Sequence, residues 1–517
     1  CSGPKMSIPD PRTPRTAAIA DKPVFPRRAS RATMIAALSL LGGCAVGPDF
    51  RAPVLPAEAA YRAEPALAAT VASAAPTGDA QRFLQAASVP ARWWRQFDNE
   101  ELNRRIEQAL ANSPSVASAK AALRQAQAGT AAARGSLLPA LDANLGASRQ
   151  DEQARGAPGT SPFTVYNASI GVGYTLDLFG GVRRGIEAQA ALAEAQGFEL
   201  EGTYLSLAAN VATTSFREAS LRAQIAATEE IASVYQQQYE LVAKQNEIGA
   251  KSQADVLVAR SQVASARAQL PELRKALAQT QTRLAVYLGH FPAEVELAAL
   301  ALDDLKLPTD IPLSLPSAIV RERPDIRAAE AQLQRATAEV GIATANLFPN
   351  ITLNGAYGSQ ASSAGNLFGS GREAWSLGLN LLQPIFRGGT LRARKRAAEA
   401  GLDQASADYR TTVLTAFQNV ADSLRALEFD AESLQAQAEA QRASAASLEL
   451  VNVQYREGAA SQLQVLDATR QFQLARIAVI QARTARLADS AALFAALGGG
   501  WRGEAAAARD TVTTESN

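Results

Sequence analysis

The chain has 517 residues, enough for more than one domain, and its 51 lysines and arginines are balanced by 50 aspartates and glutamates. That balance gives no general electrostatic reason to expect a nucleic-acid partner. One histidine, His290, and two cysteines, Cys1 and Cys44, exclude a disulfide framework and nearly remove the commonest acid–base group, which weighs against an enzyme.

Near the amino terminus, Arg27, Arg28 and Arg31 precede an apolar run from Met34 to Leu41, and Gly42-Gly43 precede Cys44. A positive, then apolar, then small-residue succession marks a secretory leader. The run is far shorter than the roughly 20 residues a spanning helix needs. Leu41-Gly42-Gly43-Cys44 resembles the lipobox of bacterial lipoproteins, which implies cleavage before Cys44 and lipids on its sulfur and new amino terminus. Residues 1–43 are then signal peptide and upstream segment, with Met6 a candidate start. Residues 44–92, rich in Ala and Pro, read as a lipidated, extended arm. Order is expected from Trp93-Trp94.

A helical pattern runs from Asn99 to Arg134 and stops at Pro139. The period then changes to two. Leu141, Ala143, Leu145 and Ala147 alternate with Asp142, Asn144, Gly146 and Ser148, which predicts a strand over about 140–149. After a polar loop, Gln150 to Pro162, a second strand is predicted over 165–178. Tyr166, Ala168, Ile170, Val172, Tyr174 and Leu176 share one face; Asn167, Ser169, Gly171, Gly173 and Thr175 share the other. From Val182 to Ile248 there is no proline, only strong helix formers. Unbroken, that helix would reach roughly 100 Å; Gly197, Gly202 and Asn210 are candidate joints. Gly249 fits a C-cap, and a helix from Gln253 to Leu288 returns, giving a hairpin over 182–288. Such long, alanine-rich helices fit a coiled-coil assembly better than an ordinary globular core.

The chain then repeats itself at a constant offset of 209: Glu240-Leu241-Val242 matches Glu449-Leu450-Val451, Gly249 matches Gly458, Ser252-Gln253 matches Ser461-Gln462, and Val256-Leu257 matches Val465-Leu466. The strands recur as well, over about 350–359 and 374–386, followed by a hairpin over 390–497. The first repeat is placed at 93–300, the second at 301–500, and 501–517 is expected as a disordered tail. Each strand is long enough to cross a bilayer at a tilt. A membrane sheet cannot keep open edges, and four strands cannot close a barrel, so copies must share one. Two chains would give about eight strands, which leave an interior filled by side chains; a conduit needs more. The argument prefers three or more chains without fixing three.

Leu315-Pro316-Ser317-Ala318-Ile319-Val320-Arg321-Glu322-Arg323-Pro324-Asp325-Ile326, with Ala329-Glu330, resembles the LPSxLLxxRPDIxxAE signature of the TolC-like outer-membrane efflux protein family, in the lipoprotein branch that serves resistance-nodulation-division pumps. Trp93-Trp94-x-x-Phe97, Tyr174-x-Leu176-Asp177-Leu178-Phe179-Gly180 and Leu497-Gly498-Gly499-Gly500-Trp501 extend the likeness over about Trp93 to Trp501. The resemblance implies a mixed α/β membrane protein: a homotrimer with a twelve-stranded barrel in the outer membrane and a helical coiled-coil tunnel in the periplasm. It implies a periplasmic adaptor and an inner-membrane resistance-nodulation-division transporter as partners, contact with outer-membrane lipid, no cofactor and no chemistry. The hairpin tips at Gly249 and Gly458 would meet the adaptor. In the family's G-x-x-x-x-x-x-V-L-D-A pattern, here Gly458 to Ala468, Asp467 holds the acidic constricting position. Leu463, four residues earlier on the same helical face, would add an apolar ring. Gln464 stands where the family often has a second acid. Tyr455 and Arg456 are candidate latches between hairpins, and Asp255 reads as a surface residue. Pro324 and Asp325 read as a helix start, and His290 as a loop residue. The nearest alternative is the outer-membrane duct of a type I protein secretion system; a poreless lipid-anchored scaffold is a third.

Overall fold

A computed structural model describes residues 45–54, 61, 68–150, 162–294, 297–314 and 316–499. The expectations placed on Cys44, the leader, the loop at 151–161 and the segment 501–517 lie outside the described residues. In chain order the first half holds strand β1 (Arg82–Gln85), a 3-10 turn (Trp93–Phe97), helices α1 (Glu100–Asn112) and α2 (Pro114–Gly135), strands β2 (Ala140–Gln150) and β3 (Phe163–Leu176), and the hairpin helices α3 (Gly181–Glu247) and α4 (Gln253–Tyr287). The second half holds β4 (Asp310–Leu313), α5 (Pro316–Glu322), α6 (Pro324–Ala345), β5 (Asn350–Ala361), β6 (Glu373–Leu382), α7 (Thr390–Arg456) and α8 (Gln462–Ala496). The two outgoing helices have 67 residues each and the two returning ones 35, so the duplication seen in sequence extends to helix length.

The chain forms two compact units that cut across the repeats. One comprises the described part of Cys1–Glu58 with Arg124–Glu194 and Glu330–Asp408; the other comprises Ala59–Leu123, Ala195–Ala329 and Tyr409–Asn517, again where described. The first unit is built on an antiparallel sheet in the order β2-β3-β5-β6. The halves therefore join through the β3–β5 pair, with Ile170 opposite Tyr357 and Tyr174 opposite Leu353. β6 ends at Leu382, short of the expected 386, because Pro384 has no N–H for a ladder. β3 ends at Leu176, where the Leu178 N–H turns back to the Leu176 carbonyl.

The second unit carries the main core. Trp93, Phe97, Phe216 and Phe494 form an aromatic cluster with ring separations of 4.9 Å for Phe97–Phe216 and 5.6 Å for Trp93–Phe494. Leu102, Ile106, Ile311 and Leu487 are fully buried around it. Two expectations are corrected here. Order does not begin at Trp93: β1 pairs in parallel with β4, and the buried Gln81 donates to the Pro308 carbonyl and the Ser490 hydroxyl. Buried backbone partners, not periodicity, order this stretch. The helix expected from Asn99 to Arg134 is two helices. Asn99 caps the first by accepting from the Leu102 N–H, and Ser113 is extended (ψ 130). A proline disfavours helical backbone in the residue before it, and Pro114 then opens α2. Gly197, Gly202 and Asn210 do not interrupt the hydrogen-bonded run of α3, since one interior glycine costs only about 1 kcal/mol, less than the packing of a long helix returns.

Candidate functional site

Two places can carry a function: the sheet and the hairpin tips. Registered pairing aligns the alternation of all four strands. Leu141 lies opposite Val172, Leu145 opposite Ala168, Val172 opposite Gly355 and Leu353 opposite Leu379. One face therefore collects Leu141, Leu145, Ile170, Val172, Tyr357, Trp375, Leu377 and Leu379, all exposed. The other collects Asp142, Asn144, Ser169, Thr175, Thr352, Asn354 and Asn380. An apolar face of this breadth, exposed in the single chain, marks contact with lipid or with another copy. Among the described residues, β2 and β6 have no partner on their outer sides. These edge strands are 11 and 10 residues long, unlike the very short edges that blunt pairing.

At the tips the two halves share a backbone and differ in chemistry. Gly249 and Gly458 adopt φ +74 and +77, the left-handed conformation of a C-cap glycine. The next helices start on Ser252 and Ser461, each in a capping box with the residue three positions on, Asp255 and Gln464. Asp255 accepts from the Ser252 N–H at 3.0 Å and from its hydroxyl at 2.8 Å, and these bonds hold its carboxyl below the ordinary range. Gln464 accepts the same pair from Ser461. Sequence reasoning reads Asp255 as a surface group and Gln464 as a missing acid; the S-x-x-[E/Q]-like spacing is the available signal for a cap.

The second tip carries groups the first lacks. Asp467 and Leu463 sit one turn apart on α8, both exposed, and line an open groove of about 550 Å³ with Val451 and Ser447. Asp467 accepts from Arg470 at 2.9 Å, an exposed ion pair worth at most about 1 kcal/mol. At the same offset the first tip has Val258 and Ala254. Tyr455 and Arg456 close α7, and neither side chain has a hydrogen-bond or ion-pair partner among the described residues. At the same offset Tyr455 corresponds to Asn246, which instead locks its own turn by donating to the Lys251 carbonyl at 2.7 Å, and Arg456 corresponds to Glu247.

The Arg323-Pro324-Asp325-Ile326 signature is architectural. Pro324 is the first residue of α6; Arg323 grips Asp325 with two bonds, at 3.0 and 2.6 Å, and donates to the Ala496 carbonyl at 2.7 Å, capping the end of α8. His290, in the turn after α4, contacts Gln108 at 2.9 Å. Among the described residues no three His, Cys, Asp or Glu side chains gather as a metal site, and no helix is long and apolar enough to cross a membrane.

The chain matches the family profile described as outer membrane efflux protein over residues 105–290 and 315–499. It is 34% identical over 484 residues to the antibiotic efflux pump outer membrane protein ArpC of Pseudomonas putida, covering 92% of this chain and 97% of that protein. Identity and coverage are the same for the toluene efflux pump outer membrane protein TtgC, also of Pseudomonas putida. Among solved structures, the outer-membrane channel OprN is similar with a TM-score of 0.78 at 30% identity, over 89% of this chain and 100% of that one.

Proposed function

The chain belongs to the outer membrane efflux protein family, and on that premise we propose that three copies close one twelve-stranded barrel as the exit duct of a tripartite efflux pump. The observation that carries this reading is the four-stranded sheet, with one apolar face, one polar face and two unpaired edges. Backbone groups on an open edge cannot be hydrated in lipid, so the edges demand another copy. Pairing β6 of one copy with β2 of the next puts every apolar face outward and every polar face on a water-filled lumen. The helical hairpins then form the periplasmic tunnel, and their tips at Gly249 and Gly458 meet a periplasmic adaptor below which an inner-membrane resistance-nodulation-division transporter supplies the cargo. Relatives named for antibiotic and for toluene efflux are equally identical to this chain, which fits a duct that leaves selection to the transporter. The duct performs no chemistry.

Planar-bilayer recording tests the duct and its constriction together. The purified protein should conduct, and wild type should favour cations through a ring of Asp467 carboxylates. Asp467→Ala should lower or reverse that preference, because it also releases Arg470 from its pair. No conductance by wild type would sink the duct; an unchanged preference in the variant would remove Asp467 from the constriction.

The lipid anchor is tested separately. Ala45 to Asp49, directly after Cys44, is fastened to the first unit: the Val46 N–H donates to the Phe179 carbonyl at 3.1 Å, and Arg184 donates to Asp49 at 2.5 Å. That fastening holds the residues after Cys44 beside the end of β3, which suits an anchor in the same membrane. Cys44→Ser should abolish metabolic labelling by a fatty-acid probe; labelling at the wild-type level would refute the anchor.

A further inference from the structure

The two halves differ at the foot of the sheet, where each second strand hands over to a long helix. In the first half the basic residues there are neutralised: Arg183 pairs with Asp177 at 3.1 Å, and Arg184 with Asp49 and Glu187 at 2.5 and 2.7 Å. In the second half, Arg387, Arg392, Arg394, Lys395 and Arg396 fall within ten residues, and only Lys395 has an acidic partner, Glu399 at 3.7 Å, among the described residues. Four of these five cations lie in the first two turns of α7, where the helix dipole disfavours positive charge. Like charges so close, four of them set against the dipole and four of them without an acidic partner among the described residues, leave an electrostatic deficit that an anion would relieve.

Arg387, just before α7, and Arg394, within its first two turns, both line a pocket of about 350 Å³ inside the first unit. Leu382, Pro384, Phe348 and Leu391 form much of its wall, and Phe179 stacks on Phe348 at 4.8 Å. The pocket's acid, Asp177, is already consumed by the Val182 N–H, the Arg183 N–H and the Arg183 guanidinium, so it does not neutralise the two arginines. Directly beside them Ile385 and Phe386 are 95% and 85% exposed, and the apolar face of β6 ends at Leu381. Apolar strand, exposed aliphatic and aromatic pair, then cations is the succession of a membrane interface.

We propose that this pocket seats the phosphodiester of an anionic glycerophospholipid, held by Arg387 and Arg394, with the acyl chains running up the apolar face of β6. The assignment rests on the reading of the sheet as a membrane wall. A guanidinium fork donates two N–H groups to phosphate oxygens, and Ile385 and Phe386 flank the glycerol level. A neighbouring copy is the competing occupant. The strand it would pair with β6 is β2: Arg134, Leu137, Leu138 and Pro139 lie just before it, and its one acid, Asp142, belongs to the polar face, on the side away from the apolar face that would carry the acyl chains.

Native mass spectrometry of the delipidated assembly tests this, titrating phosphatidylglycerol against phosphatidylcholine of the same acyl chains, with an inorganic phosphate arm. Wild type should retain phosphatidylglycerol roughly 30-fold better, about fivefold per arginine. Arg387→Gln with Arg394→Gln should lose that preference, and Arg387→Lys with Arg394→Lys should keep most of it. Equal retention of both lipids by wild type would overturn the seat, whatever the variants do. So would inorganic phosphate binding as tightly as phosphatidylglycerol, or a glutamine variant that is monomeric in lipid-free detergent, which would place the arginines between copies. Conductance in phosphatidylcholine bilayers is read independently: channels without a lipid preference remove only the seat, whereas loss of wild-type conductance removes the wall on which it rests.

Discussion

Leu377→Arg should prevent the assembled channel from forming, whereas Gly378→Arg, one residue on, should assemble. The two positions lie at the same depth in β6 and on opposite faces: Leu377 stands opposite Gly355 within the apolar set, and Gly378 opposite Asn354 within the polar set. Leu377 is 71% exposed, so an arginine there meets no steric obstacle within its own chain. A Cβ on Gly378 meets nothing within 4 Å. The difference is therefore one of medium. An arginine on the lipid face near the bilayer midplane costs about 2–4 kcal/mol, and three copies bring about 6–12 kcal/mol to one barrel. That is comparable with the whole stability of an ordinary fold. On the lumen side the same guanidinium stays in water and should instead lower the channel's preference for cations. Semi-native electrophoresis of outer-membrane extracts reads the assembled species. If both variants assemble equally, the two faces do not separate lipid from water, and the wall reading fails.

The sheet was legible because its signal is local: period-two alternation fixes which side chains share a face, and duplication at a constant offset doubles the signal. The long hairpins were legible from the absence of proline and the placement of Gly249 and Gly458. What escaped is set by distant partners. β1 and β4 are four residues each, too short for periodicity, and they exist because Gln81 and the Pro308 carbonyl find each other across the chain. The break at Ser113 was written in the sequence as a residue preceding Pro114, but the alanine-rich pattern on both sides hid it. At the tips, Asp467 could be singled out from its pattern, whereas its Arg470 partner and the capping role of Gln464 follow from helix geometry at three-residue spacing. The basic cluster from Arg387 to Arg396 is plain in the sequence; that its first-half counterparts are neutralised by Asp177 and Asp49 is not, because the fold supplies those acids.

Arg486→Met should cause the largest loss of stability in the second unit, and the loss should grow with pH. Arg486 is fully buried, and its guanidinium donates to the Thr77 carbonyl at 3.0 Å, the Thr70 hydroxyl at 3.0 Å and the Asp79 carbonyl at 2.7 Å. It thus pins the stretch before β1 to α8. Methionine fills the volume but removes the charged donor from the part-buried Thr77 and Asp79 carbonyls and from the buried Thr70 hydroxyl, which keeps only the Gln81 N–H, and a total loss of about 2–4 kcal/mol is expected. Charge adds the pH dependence. Burial, then the hydrogen bond and charge of Asp489, push the Asp430 carboxyl up to about 7, and Arg486 pulls against that rise. A carboxyl raised in the folded state binds its proton more tightly there than in the unfolded chain. Wild-type stability from this group is therefore full below about pH 4 and falls as pH rises through 7. Without Arg486 nothing opposes the rise, so the folded state is penalised further once Asp430 must ionise. Thermal unfolding should show a larger drop in Tm for the variant at pH 8 than at pH 5. Arg486→Lys should fall between the two, keeping the charge while its single ammonium cannot reach three acceptors held by a planar fork. An equal drop at both pH values would mean that Arg486 acts only as a donor to the 70–79 segment, and that the Asp430 carboxyl titrates without regard to it.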